Sequence, residues 1–219
     1  MAKQRDRLDL SVSCWPTNRL EQARCTQQFP DDCAETAYHS SMPRTKILGL
    51  LKGGDGRSIG RADEVAAAVS KNLAMFPELM KGLWSEDPLV RMRAADATEK
   101  ITRSNPDLLR PYRRELLGLM AEAQQQELRW HLAAMVPRLE LDSKERELVR
   151  SLLNSYLEDR SSIVKTCALQ ALADLAAQQS SIRPGVIEIL RQAVRNGTPA
   201  MKARSRRLLL ELEHARTKT

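Results

Sequence analysis

The sequence predicts an all-α fold, a right-handed α-solenoid of about four helix pairs, and three observations carry that reading. Apolar residues recur at helical spacing from Ala62 to the end of the chain. Four segments opening at Val90, Leu128, Val164 and Met201 align without a gap, their starts 38, 36 and 37 residues apart. The connections are short, and several place a capping side chain directly before a proline. Short loops force neighbouring helices antiparallel, and such pairs stacked in one direction make a solenoid.

Residues 1–43 mix turn formers, glutamines and cysteines without an apolar face, and are read as a disordered extension to a domain over 44–219. The change of regime is abrupt enough to read Met42 as a start of translation. Ile47, Leu48, Leu50 and Leu51 form a short helix that stops at Gly53-Gly54. Gly53-Gly54-Asp55-Gly56 is a plain loop, since no Gly-Lys-Ser/Thr follows to hold a phosphate and magnesium. First helices of the pairs are expected around 73–84, 107–123, 143–159 and 182–195, each followed by one aligned segment. Asp87-Pro88, Asn105-Pro106 and Thr198-Pro199 mark helix starts, because proline lacks an N–H that the first helical position does not use. Asp142-Ser143-Lys144-Glu145 reads as a capping-box variant, and Gly197 stops the helix before it. Pro137 lies inside a helical segment, where the lost hydrogen bond should bend the chain.

Within each aligned segment the first, fifth, eighth and twelfth residues, such as Val90, Ala94, Ala97 and Ile101, share one narrow face and form the expected core. A turn of about 100° per residue puts the third, seventh and tenth opposite, lining a groove. Those residues are Met92, Asp96 and Glu99, then Trp130, Ala134 and Pro137. Thr166, Gln170 and Ala173 follow, and then Ala203, Arg207 and Leu210. With adjacent helices roughly 8–10 Å apart, the strip should run continuously, acidic at one end and basic at the other. Trp130 is either an interface anchor or a minor core residue packed on Met92 and Pro137.

These segments resemble HEAT repeats, a family of the armadillo-like superhelical class. Val90-Arg91 and Val164-Lys165 match the family's Val-Arg or Val-Lys pair, and Leu128-Arg129 and Met201-Lys202 match it in kind. Asp159 and Asn196 occupy the turn position five residues before their pairs, and Pro77 lies at the expected place in its helix. Ser85 and Ala123 depart from the turn aspartate, and Pro111 and Pro184 fall four residues early. The resemblance implies that Arg91, Arg129, Lys165 and Lys202 hold repeats together.

Composition sets the functional frame. Apolar residues make up 42% of the chain and charged ones 29%, enough for an ordinary core beneath a solvated surface. No run is long enough for a membrane span and the N-terminus lacks a signal-peptide stretch, so a cytoplasmic location is expected. Cys14, Cys25, Cys33 and Cys167 are read as thiols. Cys14, Cys25, Cys33 and His39 lack the close pairs of a structural zinc site, and neither metal nor cofactor is expected.

Only three histidines are present, so a catalytic arrangement would have to be built on His131 alone, and no catalytic residue is assigned. Intrahelical charge pairs such as Glu99 with Arg103, or Glu147 with Arg150, are read as solvated surface. Net charge is +7, and residues 182–219 carry nine basic groups against three acidic, with Lys202, Arg204 and Arg206 forming a basic end. The favoured function is a scaffold binding a protein partner through the groove residues Met92, Asp96, Glu99, Trp130, Thr166, Gln170 and Arg207. The alternative is nucleic-acid binding, similar to the HEAT-like alkylpurine DNA glycosylases, which use a basic concave face with aromatic residues and a carboxylate. Eight aromatic residues and a basic cluster confined to one end weigh against it.

Overall fold

The computed structural model describes residues 47–216. The extension over 1–43, the start at Met42 and the rejected ligand set of Cys14, Cys25, Cys33 and His39 lie outside those residues. All regular structure among the described residues is helical, with no strand. Two short elements come first, α1 (Ile47–Leu50) and α2 (Ala62–Lys71). Four pairs follow: α3 (Phe76–Lys81) with α4 (Pro88–Ser104), and α5 (Arg113–Glu122) with α6 (Gln126–Met135). Then come α7 (Ser143–Tyr156) with α8 (Ser162–Gln178), and α9 (Arg183–Asn196) with α10 (Pro199–Arg216). The expected helix at 107–123 begins as a 3₁₀ stretch over Pro106–Tyr112, because Pro111 cannot donate the hydrogen bond an α-helix would need.

Side chains fix where these helices start. Asp87 accepts from the Leu89 N–H at 2.9 Å, and Pro88 then fills the first turn of α4. Asp142 and Glu145 exchange reciprocal hydrogen bonds, both 2.9 Å, closing a capping box on α7. Thr198 accepts from the Met201 N–H at 3.4 Å to open α10. Asn105 departs from the expectation: its amide donates back to the Ile101 carbonyl and caps nothing ahead of Pro106. Pro137 departs too, since α6 ends at Met135 and Pro137 sits in a 3₁₀ turn over Val136–Arg138, so the α-helix stops there instead of bending.

Each second helix packs on the next: α4 on α6, α6 on α8 and α8 on α10, with α2 covering the other flank of α4. The stripe residues face inward as the periodicity predicts. Val90, Ala94, Ala97 and Ile101 are buried, as are Leu128, Leu132, Met135 and Leu139, and Val164, Ala168, Ala171 and Leu175. In α10 the same stripe is Met201, Ser205, Leu208 and Leu212, and the buried Ser205 hydroxyl has no hydrogen-bond partner among the described residues. Small residues in mid-helix, such as Ala94, Ala97, Ala168 and Ala171, let the backbones approach.

The loop between α1 and α2 closes over one side chain. Arg93 is only 2% exposed, and its guanidinium donates to the carbonyls of Leu51 (2.8 Å), Gly53 (2.5 Å), Asp55 (3.0 Å) and Ser58 (3.2 Å). Four carbonyl dipoles thus replace the counter-ion that a buried charge otherwise needs. Gly60 is required beside it: its φ is +54°, and a Cβ there would lie 2.8 Å from the Arg93 Cζ.

Candidate functional site

A depression of about 380 Å³ opens across the four second helices. From α4 it takes Asp96, Glu99 and Arg103, and from α6 Trp130, His131 and Ala134. Ile163, Thr166, Cys167 and Gln170 come from α8, and Arg204 from α10. Six of the ten predicted site residues therefore come together: Asp96, Glu99, Trp130, Thr166, Gln170 and Arg204. Met92 does not, being buried in the α4 interior. Arg207 pairs with Glu211 at 2.7 Å, Arg206 is exposed, and Lys202 is half-buried; none of these three lines the depression.

The open strip is turned relative to the expected one. The third, fourth and seventh positions of α6 and α8 line the depression, whereas the tenth, Pro137 and Ala173, is buried. At about 100° per residue this rotates the accessible face by roughly 50° from the point opposite the core. The cause lies in the neighbours: α8 touches α6, α7, α9 and α10, so most of its circumference is covered. His131, Ile163 and Cys167 were missed as site residues for that reason, and Arg103 because it lies beyond the tenth position of its segment. Ile163 carried a usable signal, since a large apolar residue before Val164 breaks the polar expectation for that face, and it is 54% exposed.

The acidic end also differs from expectation. Glu99 was read as solvated surface, yet its side chain is 7% exposed, held by Arg103 from one turn on and by Arg138 from beyond α6. Burial pushes the Glu99 carboxyl up, but the hydrogen bonds from the two guanidinium groups outweigh it and hold the group below its ordinary value. Asp96 is bound by Lys100 at 2.6 Å, and Lys100 also reaches Asp63 on α2. The strip is therefore not acidic to an approaching ligand, because both carboxylates are enclosed and neutralised.

Trp130 is half-buried, packs on the core on one side and lies 5.7 Å from the His131 ring, centroid to centroid. Burial pushes the His131 imidazole down, which keeps it neutral at neutral pH. Burial pushes the Cys167 thiol up, so it is protonated there and a weak nucleophile. The Asp174 carboxyl is also raised by burial, and it accepts from the Gln170 amide at 2.8 Å. Gln170 in turn accepts from Arg204 at 2.7 Å. Among the described residues no group of three or more His, Cys, Asp or Glu is placed to hold a metal ion.

The residues that the repeat resemblance marks as structural divide in two. Arg91 donates to the Ser85 carbonyl (2.6 Å) and to Gln125 of the next pair (3.0 Å). Arg129 donates to the Ala123 carbonyl (2.7 Å), forms an ion pair with Asp159 of the next pair, and lies over the Tyr156 ring. Burial pushes the Tyr156 phenol up to about 12, and its hydroxyl donates to the Met120 carbonyl at 2.7 Å. Lys165 and Lys202 make no side-chain hydrogen bond or ion pair among the described residues. No described helix is long and apolar enough to cross a membrane. Comparisons of the chain with protein-family models, with curated proteins and with solved structures found no match.

Proposed function

We propose that the chain is a HEAT-like solenoid acting as a cytoplasmic scaffold, which takes a peptide segment of a protein partner into the depression on its second helices. The observation that carries this reading is the meeting of Trp130, Ala134 and Ile163 in one recess of about 380 Å³. A ring that rests on the core on one side and stays open on the other is already ordered, so little side-chain freedom is lost when a ligand covers it. The serial packing of α4, α6, α8 and α10, with Arg91 and Arg129 each reaching into the following pair, supports the solenoid part of the reading. Nucleic-acid binding has less support, because Arg207 is paired with Glu211 and Arg206 stands away from the recess.

Selection of random displayed peptides against the full chain tests the reading. Enriched peptides should bind at about micromolar affinity or better, weaken strongly on Trp130→Ala, and tolerate Leu148→Ala, an exposed apolar position on α7. Peptides that bind equally well without the Trp130 ring would refute it.

A further inference from the structure

The charge that a ligand meets in this recess is set by exposure more than by composition. Asp96 and Glu99 line it, yet their side chains are only 12% and 7% exposed. Both Glu99 oxygens are taken, one by Arg138 and Arg103 and the other by Arg103 alone. Lys100 holds Asp96. The cations are the outward groups: the Arg103 side chain is 63% exposed, and Arg204 is exposed.

Arg204 is also prepared for a ligand. Its Nη1 donates to the Gln170 amide oxygen at 2.7 Å, and Gln170 is itself fixed by donating to Asp174 at 2.8 Å. The Nε and Nη2 donors of Arg204 make no hydrogen bond among the described residues. A basic ligand would find no free carboxylate here, whereas an acidic one would find oriented, unused N–H groups beside an apolar recess.

We infer that the occupant is an acidic peptide, with an apolar side chain seated between Trp130 and Ile163 and a carboxylate reaching the guanidinium of Arg204. This rests on the groove reading above and adds the chemistry of the partner. A peptide fits better than a nucleic acid, since the recess offers one apolar seat beside two guanidinium groups, Arg103 and Arg204, instead of a row of cations along a backbone.

The test takes the tightest peptide selected above and replaces the residues flanking its apolar anchor by Glu, by Lys or by Ser, with binding measured by fluorescence anisotropy. A short labelled DNA duplex is measured alongside. The Glu version should bind tightest. Arg204→Glu should weaken it about tenfold and Arg204→Gln about threefold, while Arg206→Glu changes it by less than about twofold. Tightest binding by the Lys version, equal effects at Arg204 and Arg206, or DNA binding that depends on Arg204 and displaces the peptide would each overturn the inference. The two proposals fail differently: Trp130-dependent binding of the Lys version removes only the acidic partner, whereas binding that ignores Trp130 removes the groove itself.

Discussion

Glu99 is held between guanidinium groups from two parts of the chain, and this makes it a pH-dependent tie between α4 and the turn after α6. Its carboxyl is depressed in the folded protein, so its contribution is complete above the ordinary value of 4.5 and is lost as the pH falls through the lower folded value. Glu99→Gln should cost about 2 kcal/mol at neutral pH. Thermal melts of the two proteins should converge on acidification below that range, and parallel curves would sink the assignment. Arg93 offers a second test. Arg93→Met leaves the Leu51, Gly53, Asp55 and Ser58 carbonyls without their donor, at about 2–4 kcal/mol. Amide exchange over residues 52–61 should accelerate more than anywhere else, and Gly60→Ala should do the same at a cost of about 1–2 kcal/mol. Neither residue declared its role in the sequence. Arg138 lies 39 residues from Glu99 and Leu51 lies 42 from Arg93, so the contacts depend on how distant segments meet.

At the level of single helices, periodicity and capping were readable because both are local. The core stripe needs only 3.6-residue spacing, and the Asp142–Glu145 box only a three-residue reach. Asp142→Ala should therefore lower the midpoint of a urea melt. What a helix presents on its far side is not local, since it depends on which neighbours cover it. Ala173 illustrates this: expected in the groove, it is 3% exposed within α8, the helix with partners on several sides. Ala168→Leu and Ala173→Leu should then both overpack, at about 1–3 kcal/mol each. Ala203→Leu, at an exposed position of α10, should be nearly neutral by the same measurement. A neutral Ala173→Leu would restore the original assignment of faces. The recess was half legible for the same reason. Trp130, Thr166 and Gln170 follow from spacing, but His131 and Cys167 enter only through the roughly 50° rotation of the open face.

Across the described helices, polar side chains tie each pair to the next at the start of the second helices, and the first three pairs at their far ends too. Arg91 reaches Gln125, and Gln125 returns a hydrogen bond to the Pro88 carbonyl at 2.9 Å. Arg129 pairs with Asp159, the Ser162 and Thr198 hydroxyls meet at 2.8 Å, and at the far end Gln178 donates to the Pro137 carbonyl at 2.9 Å. A double-mutant cycle with Arg129→Gln and Asp159→Asn should give a coupling of about 1–2 kcal/mol, since the Asp159 side chain is 8% exposed. A coupling near zero would mean that apolar packing alone holds these pairs in line. The closure at the other end of this series works by a different rule. Arg93 recognises main-chain oxygens, which every amino acid carries, so the covering loop is held without reading its side chains. Lys52, Arg57 and Ile59 are thus free to diversify while Gly53, Gly54 and Gly60 keep their positive φ. A library randomised at those three sites should fold almost throughout, making this loop a place where new surface chemistry can be written at little cost to the fold.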